Sequence, residues 1–353
     1  MDPRVVTCAQ ALADLGQFDA LIDVRSESEF ADDHMPGALS APVLDDAQRA
    51  EIGTLHKQQS AFDARRRGAA LVARNIADHL DARFAQMPRG WRPLVYCWRG
   101  GQRSGAMATI MARVGWPVRQ LEGGYRAYRR AVIDALAQLP AQLHFRVICG
   151  TTGSGKSRLL QHLAQAGGQV LDLEALACHR GSVLGGLPQQ PQPSQKMFET
   201  QIWWRLRGFD PSRPVFVESE SRKVGDLRVP DALIARMRTS PCVVLELPLA
   251  ERVRLLREEY LHFERDRMAL EAQLDCLTAL HGRERIAQWK ALAAGGRWEE
   301  LVERLLVEHY DPAYLKSIDR NFAQIGSAQP ARAPRADAAA FDAIARELVD
   351  DPQ

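Results

Sequence analysis

The chain has 353 residues, a length that implies two or three domains with ample core and excludes a single disulfide-stapled module. Its hydrophobic share of 46% and charged share of 25% are those of folded globular chains, which excludes a disordered or fibrous protein. With 46 Lys and Arg against 44 Asp and Glu the net charge is +2, so no global field attracts nucleic acid and any RNA contact must be local.

The amino end, MDPRVVTCAQALADLGQF, lacks the apolar stretch of a signal peptide, and no run of about 18 apolar residues occurs anywhere. The six cysteines, Cys8, Cys97, Cys149, Cys178, Cys242 and Cys276, form no C-x-x-C pair and have no metal-ligand spacing. Both features point to a reducing, cytoplasmic location without membrane contact.

Residues 20–42, ALIDVRSESEFADDHMPGALSAP, predict an apolar strand ending at Asp23 and a turn at Pro36 and Gly37. Asp23 and Arg25 are read as an ion pair bracing a neighbouring loop, and His34 beside the turn as a histidine that satisfies backbone groups. Residues 44–81 predict a helical insertion carrying Arg65, Arg66, Arg67 and Arg74. A charge run is usually a solvated face, but this one is a local place for a phosphate backbone to dock, and Arg126, Arg129 and Arg130 form a similar cluster.

A second strand, PLVYC (93–97), runs into WRGGQRS and then a helical segment, GAMATIMARVG. Cys97 stands at the strand end, and Trp98, Arg99, Gly100, Gly101, Gln102 and Arg103 form the loop. Glycines let backbone amides converge on one point, and amides, arginines and a helix N-terminus together would bind an oxyanion and ionise the thiol. A core cysteine needs none of these, so Cys97 is assigned as a reactive thiolate.

DVRSESEF, the HMPGA turn and the cysteine loop resemble a rhodanese domain over about residues 4–135, a family that carries sulfur on a cysteine. Cys97 and Arg103 depart from its commonest small loop, having the C-x5-R spacing of cysteine phosphatases. The wider cradle suits a tetrahedral phosphorus oxyanion such as selenophosphate.

Residues 136–143 read as a short connection, giving domains at 1–137 and 144–325 and a tail at 326–353. HFRVIC then predicts a strand leading into GTTGSGKS, a P-loop motif formed by Gly150, Thr151, Thr152, Gly153, Ser154, Gly155, Lys156 and Ser157. Amides at the helix N-terminus would hold a diphosphate, Lys156 would neutralise it, and Ser157 could reach Mg²⁺. Strands at 169–173, 214–219 and 241–247 alternate with helices, which makes the second half a parallel α/β sheet. The third strand of this half ends in VFVESESRKVG without the usual aspartate. Asp172, Glu174, Glu218 and Glu220 are the nearby carboxylates, with Glu218 preferred as the group that orients Mg²⁺ or water. HRGSVLGG (179–186) is either a mobile loop, with Arg180 on an anion, or a plain turn. Trp203 and Trp204 read as core rather than as base-stacking residues, Cys149 as a buried strand residue, and residues 251–310 as a helical extension with an Ala-rich tail beyond 326.

In order, CWRGGQRS, GTTGSGKS, HRGS and VESESRKVG resemble the tRNA 2-selenouridine synthase family. That resemblance implies exchange of sulfur for selenium at C2 of wobble 2-thiouridine in the tRNA anticodon loop. Selenophosphate would donate the selenium, with Cys97 taking it as S-selanylcysteine. Geranyl diphosphate would first alkylate the sulfur, and selenophosphate synthetase would be a partner. No tightly bound cofactor is expected. The alternative is a cysteine phosphatase or sulfurtransferase fused to a nucleotide-binding, kinase-like domain.

Overall fold

Strand β1 (Arg4–Val6) begins a parallel five-stranded sheet with β2 (Ala20–Asp23), β3 (Ala38–Ser40), β4 (Pro93–Tyr96) and β5 (Arg119–Leu121), ordered β1-β5-β4-β2-β3. The computed structural model describes residues 3–182, 184–187 and 190–351. All four residues of β4 are buried, as an unbroken apolar run on a central strand covered on both faces requires. Helix Gln102–Val114 presents Met107, Ala108, Met111 and Ala112 to the core beside Ile22, Val24 and Val95, and stops at Gly115 in a left-handed cap. The insertion folds as two helices, Asp46–Gln58 and Ala61–His79, which pack on each other.

The second sheet is also parallel. It comprises β6 (His144–Cys149), β7 (Gln169–Leu171), β8 (Pro214–Glu218), β11 (Cys242–Glu246) and β12 (Gln329–Arg332), ordered β12-β11-β6-β8-β7, while β9 (Lys223–Val224) and β10 (Leu227–Arg228) form a separate hairpin. Strand β6 is central, and helix Lys156–Gln165 follows it with Leu159, Leu160 and Leu163 buried. Helices between Leu249 and Asn321 build a further core around Trp289.

Two expectations are corrected. Residues 136–142 are not a connection but the end of helix Gly124–Gln142, which contains Pro140. The proline sits two residues from the helix end, so it costs one late hydrogen bond and does not break the helix earlier. The segment beyond 326 is not a tail either: β12 pairs with β11, and helix Ala338–Asp350 buries Phe341, Ile344, Ala345 and Leu348 against Leu159 and Leu163. Spacing of i, i+3, i+4 and i+7 makes that Ala-rich segment amphipathic, and Pro330 is tolerated because its strand is at the sheet edge. The chain divides into two compact units, Met1–Ala135 with Ser194–Trp204, and Leu136–Pro193 with Arg205–Gln353. Trp203 is buried and meets Tyr128 edge-on within the first unit, whereas Trp204 is partly exposed.

Candidate functional site

Cys97 follows β4, and its sulfur accepts a hydrogen bond from Ser104 Oγ at 3.2 Å. The residue is 4% exposed, beneath a loop whose Arg99, Gly101 and Gln102 are at the surface. Burial alone would suppress ionisation. It is outweighed by hydrogen bonds from the Ser104 hydroxyl and backbone N–H and the Arg99 N–H, with the charge of Arg103 adding to them, so the thiol is held below its ordinary range.

The loop keeps its shape through backbone packing. Gly100 has φ +65°, and a Cβ there would fall 2.4 Å from Leu121 O. Gly124, at φ +54°, would place one 2.2 Å from Cys97 O. Tyr125 N donates to Cys97 O at 2.8 Å, Arg126 N to Trp98 O at 3.1 Å, and Gln120 Nε2 to Gly100 O at 2.7 Å. Trp98 stacks on Tyr125.

Arg103 donates to Glu29 Oε2 at 2.9 Å, and Arg49 pairs with the same carboxylate at 3.2 Å. Burial pulls Glu29 upward, but Arg103 and Arg49 keep it below the usual carboxylate range. An incoming anion therefore competes with Glu29 for Arg103. Arg25 is buried, pairs with Asp23 at 2.6 Å, donates to Asp33 O at 2.6 Å and lies over the Tyr125 ring, which is a bracing role. His34 Nδ1 bonds Phe30 O at 2.8 Å, as a histidine serving the backbone does.

In the second unit the loop from Gly150 to Gly155 joins β6 to its helix. Lys156 Nζ donates to Gly150 O at 2.7 Å, folding over the loop, and Gly150 N donates to Tyr314 OH at 2.7 Å. Ser154 Oγ is buried with no partner among the described residues, a polar atom left for a ligand oxygen. Arg252 ties the loop down, donating to Thr152 O at 3.0 and 2.8 Å while pairing with Asp311. Gly153 and Gly155, both at positive φ, admit Leu256 and Phe341 where a Cβ would collide.

Ser157 Oγ donates to Glu174 Oε2 at 2.8 Å, and Glu174 N donates to Glu218 Oε1 at 2.8 Å. Glu218 is 1% exposed. Burial, reinforced by Asp172, Glu174 and Glu220, drives its carboxyl well above the usual range, and its Oε1 holds the backbone of Glu174 in place. Burial and Glu174 likewise push Glu220 up to about 8. Asp172 is also raised by burial, although it caps the short helix after β7 by accepting from Ala175 N at 2.8 Å. Among the described residues no three His, Cys, Asp or Glu side chains converge as a metal cage. Ser157 Oγ and Glu174 Oε2 are the pair of oxygens that would face an Mg²⁺ ion there, an ion that ordinarily takes one or two protein oxygens and the rest from phosphate and water.

The ends of the 179–186 segment are paired as in a turn: Arg180 N donates to Gly185 O at 2.8 Å, and His179 bridges Gly186. Val183 lies outside the described residues. Together with the P-loop this turn lines a cavity of about 770 Å³ containing Lys156, Ser157, Glu174, Arg180 and Glu220. Cys149 is a buried strand residue.

Sequence reasoning missed Ser104, Gln120, Glu29, Gly123, Gly124, Arg252, Asp311 and Tyr314. Only Ser104 and the Gly123-Gly124 pair carried a local signal, the first as a serine in the first turn of the helix beside the cysteine and the pair as a tight turn after β5.

Residues 6–131 match the rhodanese-like domain family, and residues 143–288 match the tRNA 2-selenouridine synthase AAA domain. The chain is 37% identical to a tRNA 2-selenouridine synthase of Aeromonas salmonicida over 69% of this chain and 65% of that one. With the synthase of Nitrosomonas europaea identity is 36%, over 68% and 63%. The chain thus spans just under two thirds of the length of these two relatives. With the synthase of Marinobacter nauticus identity is 33%, over 83% of this chain and 87% of the relative. No described helix is long and apolar enough to cross a membrane. On that near full-length likeness and the two matched domains, the chain belongs to the tRNA 2-selenouridine synthase family.

Proposed function

We propose that the chain converts wobble 2-thiouridine of a tRNA anticodon loop to 2-selenouridine in two steps, one at each loop. In the first, the thiocarbonyl sulfur attacks C1 of geranyl diphosphate, the C–O bond breaks, diphosphate leaves, and the base gives up its N3 proton to water. Lys156 and the loop amides stabilise the charge that develops on that leaving group. Mg²⁺ bound by Ser157 and Glu174 would neutralise the diphosphate further, while Glu218 keeps Glu174 in place.

In the second step, S-geranyl thiol is displaced from C2 by a selenium nucleophile. Selenium in selenophosphate is already at the selenide level, so making S-selanylcysteine from it would need a two-electron oxidant. Attack of the Cys97 thiolate on phosphorus needs none: the P–Se bond breaks, the selenium leaves as selenide to attack C2, and water then frees phosphate from the cysteine. Arg103, exchanging Glu29 for the phosphoryl oxygens, and Arg99 would hold that phosphate. The C-x5-R spacing and the depressed Cys97 thiol support this reading. Selenophosphate synthetase is a natural partner as the source of the donor, and the cytoplasm is where such tRNA is found.

The observation that carries the proposal is one family member holding both a cysteine thiol that accepts from Ser104 and is eased by the charge of Arg103, and a glycine-rich loop capped by Lys156. Mass spectrometry of tRNA nucleosides after incubation with both donors tests it: 2-selenouridine is the expected product, and unmodified 2-thiouridine would reject it.

A further inference from the structure

Four donors converge on one oxygen at the edge of the cysteine loop. Glu29 Oε2 accepts from Arg103 Nη1 at 2.9 Å and from Ser26 N and Oγ at 3.3 Å each, and it pairs with Arg49 Nε at 3.2 Å. A carboxylate oxygen has two lone pairs, so the four donors share it and none is held as firmly as a single partner would be.

The two arginines come from different elements. Arg103 lies in the first turn of the helix after the loop, and Arg49 near the start of the insertion helix Asp46–Gln58. Helix Glu27–Asp32, which carries Glu29, is tied to that insertion helix: Ser28 N and Oγ donate to Asp46 at 3.1 and 2.5 Å, and Asp46 N donates to Glu27 Oε2 at 3.2 Å. The tie sets Arg49 against Glu29. Glu29 is nearly buried, Arg103 partly so and Arg49 half exposed, which makes Arg49 the outer cation and Arg103 the inner one.

Glu29 stays ionised, so two guanidiniums and one carboxylate leave a single net positive charge. A monoanion entering here replaces one negative charge by another and gains little for the water it gives up. An anion of two or more charges attracts both arginines more strongly than the carboxylate does. The difference matters to an enzyme that handles RNA, because a backbone phosphodiester is a monoanion and a free phosphoryl donor is not.

We propose that Glu29 and Arg49 are specificity-determining residues of the thiol loop: the carboxylate latches both arginines until an oxyanion of two or more charges takes them, so that a phosphoryl donor enters and RNA phosphodiesters do not. The inference rests on reading the Cys97 loop as an anion cradle.

Alkylation of Cys97 by iodoacetamide, a neutral reagent, tests this when it is followed in the Cys97 peptide by mass spectrometry. The full chain is titrated with sulfate, perchlorate or dimethyl phosphate at matched ionic strength, and the concentration that halves the rate is read. Sulfate and perchlorate share a tetrahedral shape and differ in charge. Sulfate should protect at least about tenfold better than either monoanion. Glu29→Gln keeps a side chain suited to the capping box with Ser26, and it should narrow the gap between sulfate and perchlorate several-fold. Arg49→Ala should weaken sulfate protection about fivefold, and Arg49→Lys should restore most of it. A role confined to folding or to thiol reactivity would change the rate without anion and leave the ratio of the two anions where it was. Equal protection by sulfate and perchlorate in the wild type, an unchanged ratio in Glu29→Gln, or full sulfate protection in Arg49→Ala would overturn the proposal and keep the cradle. No protection by any anion would reject the cradle as well.

Discussion

The Ser104 hydroxyl donates to the Cys97 sulfur at 3.2 Å, and Gln120 Nε2 lies 3.1 Å from the same hydroxyl oxygen. The serine hydroxyl is therefore braced by a donor behind it, and its O–H, with Gly101 O at 3.3 Å as the other acceptor in reach, hydrogen-bonds the sulfur, which favours thiolate over thiol.

Ser104→Ala should raise the Cys97 titration. Since a hydrogen bond to a charged group is worth about 1.5–3 kcal/mol, the midpoint should rise by about one pH unit or more. The check is ultraviolet thiolate absorbance against pH, taken as wild type minus Cys97→Ser. Thiolate forms as pH rises through the midpoint, so selenation at neutral pH should fall in the Ser104→Ala variant and recover at higher pH.

Gly124→Ala should unfold the cysteine loop. Its left-handed φ costs about 1–2 kcal/mol for any L residue, and the collision with Cys97 O adds to that. Gly37→Ala, at φ +80° with nothing within 4 Å, should pay the conformational cost alone. Urea midpoints of the two variants measure the difference, and similar midpoints would remove the close packing of Gly124 from the account.

Glu218→Gln should stabilise the second unit at neutral pH. The folded carboxyl titrates above its unfolded range, so the folded state holds the extra proton. Stability from this group is then complete at acid pH and is lost as pH rises past the ordinary carboxylate range. Glutamine still accepts from Glu174 N–H without ever ionising. Denaturation midpoints should therefore fall less between pH 5 and pH 8 in the variant, and an unchanged pH slope would contradict the assignment.

Triple alanine substitution at Arg65, Arg66 and Arg67 should weaken tRNA binding and flatten its salt dependence by about one log unit per log unit of salt for each phosphate no longer neutralised. All three are exposed, and Arg66 and Arg67 make surface pairs to Asp63 and Glu51, at 3.1 and 3.0 Å, which phosphates can displace at little cost. Filter binding at several salt concentrations gives the slope, and an unchanged slope dismisses the patch.

The two loops are legible because each is written in contiguous residues: a strand, glycines, a cation and a helix start. What braces them is not. Tyr314 reaches Gly150 across 164 positions and Arg252 reaches Thr152 across 100, so no local pattern names either. In the Ala-rich segment after 326, low complexity hides the apolar spacing of Phe341, Ile344 and Leu348. Pro140 misleads because a proline near a helix end looks, in sequence, like the end itself. Glu29 is visible only as one acid among several in DVRSESEF, and its hold on Arg103 needs the fold.

The central claim, that one loop handles selenium and the other the prenyl diphosphate, is tested most directly by nucleoside mass spectrometry of tRNA treated with Cys97→Ser and with Lys156→Ala in the presence of both donors. The account predicts that Cys97→Ser accumulates S-geranyl-2-thiouridine without 2-selenouridine. It predicts that Lys156→Ala slows geranyl transfer by roughly a hundredfold to a thousandfold. Loss of both products in Cys97→Ser, or undiminished geranyl transfer in Lys156→Ala, would contradict it.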